Sequence, residues 1–133
     1  VIVDTSAVLS IAFKEPEARR LAAVLHEAAG PRISAPNYVE AALIISRYAG
    51  REGMPELDEL LAAAGVTIAA FTAEHARLAR EAHRRFGRGS GHPAGLNLGD
   101  CFAYALAQAC QEPLLYIGND FVHTDVTAAL PLK

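Results

Sequence analysis

The chain opens on a short run of β-branched residues, Val1, Ile2 and Val3, that stops at Asp4; Thr5 and Ser6 then offer N-cap hydroxyls before the apolar segment Ala7 to Phe13. This pattern predicts a strand, a carboxylate at its end, and a helix. Glu15, Pro16 and Glu17 predict the start of a second helix, because proline fits a first turn and acids suit the positive end of the helix dipole. Leu21, Val24 and Leu25 carry its apolar side toward Gly30, and Arg32 to Ala35 reads as a second short strand. From Pro36 and Asn37 a third helix follows. Its body, Tyr38 to Tyr48, sets Val39, Leu43, Ile44 and Ile45 around Glu40, which predicts a helix buried on most sides.

Pro55 to Ala64 has the period of an amphipathic fourth helix closed by Gly65, and Val66 to Phe71 is a strand pattern. Thr72 caps a helix running from Ala73 to about Phe86. Residues Gly87 to Gly95 hold four glycines and no hydrophobic period, and so predict a flexible loop. Asn97 to Cys110 returns to helix, Pro113 to Ile117 to strand, and Gly118, Asn119 and Asp120 to a turn. Strands alternating with helices over short connections predict an α/β fold. One domain would span residues 1–133, with a mostly parallel central sheet of four to five strands and helices on both faces.

A domain of 133 residues buries about two-thirds of the surface its unfolded chain exposes, so it needs no disulfide or zinc staple. Cys101 and Cys110, nine residues apart in one helical segment, fall on opposite faces and predict two reduced thiols. No apolar run approaches the roughly 20 residues that span a bilayer, and no basic segment followed by an apolar one opens the chain. The expectation is a cytoplasmic protein with no membrane association. Twelve Lys and Arg against 15 Asp and Glu argue against a protein that coats nucleic acid through bulk positive charge, and leave room for a local basic stripe.

Most of the acids fall where a solvated helix face would carry them, but four do not. Asp4 ends a hydrophobic strand, Glu40 interrupts an apolar helix, Asp100 sits in the first turn of another, and Asp120 follows the last strand. In a parallel sheet the strand carboxyl ends and the helix N-termini open on one edge, so all four can converge. Singly each has a plain structural account: Asp4 or Asp100 as a helix-terminus acid, Asp120 as a turn residue, Glu40 as a buried acid with an arginine partner. Jointly they predict a cleft in which carboxylates repel one another unless a cation compensates them. Oxygen ligands suit Mg²⁺ or Mn²⁺, as one or two ions, and do not suit zinc. Such a site supports phosphodiester hydrolysis by a metal-activated water, with no side-chain nucleophile.

Four strings then carry a family resemblance: Val3-Asp4-Thr5-Ser6-Ala7, Tyr38-Val39-Glu40-Ala41, Leu96-Asn97-Leu98-Gly99-Asp100-Cys101-Phe102-Ala103-Tyr104-Ala105, and Gly118-Asn119-Asp120-Phe121 with Thr124-Asp125. From the first strand to about Val126 the chain resembles PIN-domain proteins, and among them the VapC-type toxins of bacterial toxin–antitoxin pairs. The resemblance implies a PIN-like fold and an endoribonuclease, supported by Mg²⁺ or Mn²⁺, that cleaves structured cellular RNA and is silenced by a cognate VapB-like antitoxin. It puts Asp4, Glu40, Asp100 and Asp120 on the family's four acidic positions, as catalytic and metal-binding residues. Thr5 or Ser6 matches its small hydroxyl beside the first acid, and Asn119 precedes the last. Asp125 follows the same loop, either as an auxiliary acid or as a capping residue. The resemblance also points to a homodimer, with the apolar faces of Tyr38 to Tyr48 and Ala62 to Ala64 as candidate contacts. An antitoxin that inserts a basic side chain, arginine above all, would match the charge of the acidic cleft.

The glycine-rich stretch 87–95 lacks the Gly-Lys-Ser/Thr of a phosphate loop, and its composition fits a mobile flap preceding Asp100. Arg84, Arg85 and Arg88 beside it have two readings, an RNA-contact border or a basic cluster favouring the negative end of a helix dipole. His26, His75, His83, His92 and His123 show no i, i+4 pair that would bind zinc. For His92 and His123, near the cleft, phosphate contact competes with plain surface placement. A haloacid-dehalogenase-like phosphatase would need a second Asp where this chain has Ser6, and a receiver domain a late lysine where the only lysines are Lys14 and Lys133. A nuclease acting on duplex DNA would need more acids and further helices than this length leaves room for. The remaining alternative is a catalytically silent PIN-like RNA- or protein-binding module, against which stand the intact acids at all four positions.

Overall fold

Strands of two or three residues suffice to send successive side chains to opposite faces of a sheet. In the computed structural model, which describes residues 1–48 and 55–130, β1 (Ile2–Val3), β2 (Arg32–Ser34), β3 (Thr67–Ala69) and β4 (Leu114–Leu115) form one sheet in the order β3-β2-β1-β4. Every neighbouring pair is parallel, with Ile2 opposite Arg32 and Leu114, Val3 opposite Leu115, and Ile33 opposite Ile68. Ile2 and Leu114 project into one layer, against α5 (Ala73–Phe86) and α6 (Leu98–Cys110). Val3, Ile33 and Leu115 project into the other, against α1 (Thr5–Ala12), α2 (Ala18–Glu27), α3 (Ala35–Ser46) and α4 (Leu57–Ala63). The α/β architecture with helices on both faces is thus the one the hydrophobic pattern predicts. Among the described residues a fifth strand amounts to a single parallel bridge between Leu114 and Ala128. No helix among these residues is long and apolar enough to cross a membrane. Residues 49–54 and 131–133, part of the predicted domain 1–133, lie outside the described residues.

Three local expectations are corrected. Helix α1 begins at Thr5, because Asp4 itself is the N-cap: its carboxylate accepts the Ser6 N–H at 3.0 Å. Helix α2 begins at Ala18, and Pro16 belongs to the preceding turn, closed by the Ala18 N–H donating to the Glu15 carbonyl at 2.9 Å. Helix α3 is not buried on most sides. Asn37, Ala41 and Ile45, spaced by four, face the core, whereas Val39 and Leu43 are 53% and 62% exposed. The enclosed helix is α6, where residues from Gly99 through Ala107 are buried save Phe102. An apolar stripe has the same composition whether its own chain covers it or leaves it open, so periodicity could not separate the two helices. Cys101 and Cys110 are free thiols.

The loop after α5 is fastened at its base. Gly87 bridges Leu96, the Arg88 N–H donates to the Leu96 carbonyl at 2.9 Å, and the Leu96 N–H donates to the Phe86 carbonyl at 2.8 Å. Leu96 is fully buried, and the His92 ring stands edge-on to Phe86 with centroids 4.9 Å apart. The flap is therefore confined to an exposed tip at Arg88 to Gly91. Gly87 is required by a close approach: a methyl there would run into the His83 carbonyl oxygen and imidazole. Gly87→Ala is expected to cost roughly 1–3 kcal/mol in urea unfolding, the usual penalty for overfilling a tight contact. Wild-type stability in that variant would show that the junction yields freely.

Candidate active site

The sheet order reverses at β1. The chain steps outward from β1 to β2 and β3, then returns to lay β4 on the other side of β1. Connections leaving a parallel sheet in opposite directions open a crevice at the carboxyl ends of its strands, where α/β ligand sites form. Asp4, the first residue beyond β1, stands in that crevice with its N–H donating to the Leu115 carbonyl at 2.9 Å. Its Oδ2 is committed to capping α1. Only 4% of Asp4 is exposed.

Asp100 occupies the third position of α6 and forms a reciprocal capping box with Asn97. The Asn97 Oδ1 accepts the Asp100 N–H at 2.9 Å, and the Asp100 Oδ2 accepts the Asn97 N–H at 3.0 Å. Glu40, on the inner half of α3, points to the same helix N-terminus. A methyl at position 99 would run into the Glu40 carboxylate, so Gly99 is what admits that carboxylate against α6. Asn37, fully buried one turn before Glu40, donates from Nδ2 to the Gly99 carbonyl at 2.9 Å and to the Glu40 Oε1 at 3.5 Å. The Thr5 hydroxyl in turn donates to the Asn37 carbonyl at 3.3 Å. Asn37 is the site residue that sequence reasoning missed as chemistry, seeing only a helix start. Its signal was a carboxamide three residues before an acid on an apolar helix, a spacing that puts both on one face.

Electrostatics join the four acids. Burial pushes the Asp4 carboxyl up to about 7 against the pull of the Ser6 hydrogen bond, and the nearby Asp100 and Glu40 charges push it the same way. Burial likewise raises Asp100 to about 6, opposed by the Asn97 N–H and by Arg88, and supported by repulsion from Asp120 and Glu40. Asp120 is exposed on the turn after β4, next to the exposed Asn119. That segment is positioned by the Ile117 N–H, which donates to the Ser6 hydroxyl oxygen at 3.1 Å. Thr5 and Ser6 thus brace the site through backbone contacts.

The other candidates are placed differently. Asp125 accepts from the Tyr104 hydroxyl at 2.6 Å and Gln108 at 3.3 Å and faces Arg85 at 3.9 Å, so its bonds fasten the C-terminal segment to α5 and α6. Arg84 is ion-paired with Glu81, and Arg85 stands 4.5 Å over the Phe86 ring; Arg88 is the arginine whose charge is felt at Asp100. The His92 Nδ1 accepts the Ala94 N–H at 3.1 Å, a loop contact, and His123 is exposed. A cavity of about 860 Å³ between α2 and α4 is lined by Leu25, Leu60 and Ala62 to Ala64, and by none of the four acids.

A sequence model of the PIN domain matches residues 1–126. Ribonuclease VapC42 of Mycobacterium tuberculosis is 48% identical over 129 residues, 97% of this chain and 98% of that protein. Ribonuclease VapC28 of the same organism is 47% identical over 130 residues, 98% of each. The chain belongs to the PIN-domain family, in its VapC-type branch. Among solved structures, M. tuberculosis VapC20, described as a Sarcin-Ricin loop cleaving toxin, aligns with a TM-score of 0.68 at 15% identity over 98% of both chains. A toxin–antitoxin complex from Klebsiella pneumoniae aligns with a TM-score of 0.62 at 18% identity, over 86% of this chain and 82% of that one. At these identities the structural likeness speaks for the fold.

The raised carboxyls fix the sign of the pH dependence. Between about pH 4 and 7 folded Asp4 holds a proton that an unfolded Asp releases, so the folded state is favoured at low pH and loses that advantage as pH rises through 7. Metal-free stability is expected to fall across this window. Asp4→Asn keeps a cap acceptor and removes the charge, and should flatten the fall and raise stability at pH 8 by on the order of 2 kcal/mol. Urea unfolding over a pH series checks this; stability that climbs toward pH 7, or an Asn variant less stable than wild type, would contradict it.

Proposed function

We propose that this protein is a metal-dependent endoribonuclease, the toxin of a VapBC-type toxin–antitoxin pair acting on cytoplasmic RNA. One observation supports the reading: beside the point where the sheet order reverses, buried Asp4 and Asp100 feel each other's charge or that of Glu40 and Asp120, in a chain whose relatives are named ribonucleases. The donor set is all oxygen, and among the described residues the Asp100 Oδ1 has no hydrogen-bond partner. Those four acids would hold one or two Mg²⁺ or Mn²⁺ ions, to which such donors are suited. A bound divalent cation would acidify water and polarise a phosphoryl oxygen.

The chain's own part is placement. The capping bonds of Asp4 and Asp100 fix one oxygen of each carboxylate. Asn37 and Gly99 steer Glu40 toward α6. Because Asp4 and Asp100 are raised, they bind protons in competition with a cation, so metal affinity should rise with pH. A basic side chain from a VapB-like antitoxin would compensate the same charge and thereby block the site. The likeness to a toxin–antitoxin complex supports that pairing.

The second reading, a catalytically silent module binding RNA or protein, is favoured by one observation. Among the described residues, no three His, Cys, Asp or Glu side chains are already grouped to hold an ion. Cleavage of structured RNA in Mn²⁺, Mg²⁺ or EDTA decides, with Asp100→Asn purified identically as the control; the asparagine can still close the α6 cap. Metal-dependent products that drop at least about 100-fold in the variant are expected, the upper range for disturbing even an outer partner of a metal ligand. A wild type that gains thermal stability with Mn²⁺ yet cuts nothing would establish the silent module.

We further infer a homodimer through α3. Val39 and Leu43 lie one turn apart and exposed, and Leu98, 64% exposed, begins the neighbouring α6. Leu43→Glu should convert a dimer into a folded monomer in sedimentation velocity, and an unchanged dimer would place the contact elsewhere.

A further inference from the structure

Helix α5 gathers positive charge beyond what helix-dipole electrostatics explains. Arg77, Arg80, Arg84 and Arg85 lie along it and Arg88 just past its end, five of the chain's ten arginines within twelve residues of a protein with net charge −3. Attraction to the negative end of a helix is confined to its last turn, which accounts for Arg84 and Arg85. Arg77 and Arg80 are left over. They share one exposed face with Arg84, at i, i+3 and i+7, on the side opposite the buried Ala79, Ala82 and Phe86. With Glu81 these three arginines rim a hollow of about 420 Å³. Glu81 holds the Arg84 guanidinium through Nε at 2.9 Å and through Nη2. Among the described residues, Arg77 and Arg80 have no acid within ion-pair distance.

The row leads to the acids. At the C-terminal end of α5, Gly87 and Arg88 are bonded to Leu96, one residue before the Asn97 cap that holds Asp100. Arg88 stands at that junction, close enough for its charge to act on Asp100. From Arg77 to Arg84 the row spans about 10 Å of helix, and Arg88 extends it to the crevice. Arg85 is excluded, since Phe86 and Asp125 engage it.

We propose that the Arg77, Arg80 and Arg84 face of α5, continued by Arg88, is a track for the phosphate backbone of RNA flanking the scissile bond. The proposal rests on the ribonuclease reading above and adds where the substrate lies. Guanidinium groups on a rigid helix grip phosphates without reading bases, so the track supplies affinity and orientation, not sequence preference. An acidic protein segment is the other polyanion such a face could take. Continuity with a crevice suited to phosphodiesters favours RNA.

The test uses the full chain and a fluorescein-labelled RNA hairpin, with binding measured by anisotropy in EDTA over a salt series so that no cleavage occurs. Arg77→Gln/Arg80→Gln is compared with wild type and with Lys14→Gln/Arg19→Gln, which removes equal charge from exposed positions off the track. The track predicts that the first variant binds about 10-fold more weakly and that its slope of log affinity against log salt falls by about 1.4, two contacts at about 0.7 each. The control pair should retain most of the wild-type slope, and Arg77→Lys/Arg80→Lys should recover it. Wild-type affinity and slope in the glutamine variant would overturn the track, whether or not the protein cleaves RNA. So would a loss confined to binding of polyglutamate, which would assign the face to an acidic protein segment. A weakened variant beside a wild type inactive in Mn²⁺ would keep the track and discard the ribonuclease reading, so the two failures are told apart.

Discussion

Carboxylates sealed beside one another are costly, and this architecture is organised around placing them so. Asp4 and Asp100 are each nearly closed off from solvent and each raised by burial and by neighbouring acids. Stability alone would remove that repulsion. The fold instead contains it with local hydrogen bonds: the Ser6 N–H on Asp4, the Asn97 N–H on Asp100, and the Asn37 carboxamide on Glu40. Each acid also serves the structure, as a helix cap or as a partner of a fully buried amide. The same bonds that offset the repulsion fix where the charges stand.

Helix termini are the means by which this is done. Two N-termini, of α1 and α6, open at the carboxyl edge of the sheet, and each brings its acid in the first turn or at the cap. Positive dipole ends make such positions tolerable for negative charge. Gly99 allows the Glu40 carboxylate to approach α6, and the Asn37 bond to the Gly99 carbonyl locks the two helices at that distance. The crevice is thereby built from three elements whose relative positions are set by backbone groups.

Charge is partitioned over the rest of the surface. Four acids stand beside the reversal of strand order, five of the ten arginines lie along α5 or just past its end, and Arg88 joins the two regions. On α3 the inner stripe of Asn37, Ala41 and Ile45 serves the core and the site, while Val39 and Leu43 remain exposed. Net charge therefore describes the molecule poorly: an acidic total coexists with a local cationic face.

The sequence by itself determined the alternation of strands and helices and the parallel sheet that alternation requires. It also singled out Asp4, Glu40, Asp100 and Asp120, because period-2 and period-3.6 patterns and acids interrupting apolar segments are local properties of the chain. Tertiary structure decided what depends on residues far apart in sequence. It revealed Asn37 as the support of Gly99, brought the Glu40 carboxylate against α6, and turned Asp125 toward Tyr104 and Arg85. It also exposed α3 and enclosed α6, although both read as apolar helices. Burial is a property of what covers a face, and only the packed chain supplies the cover.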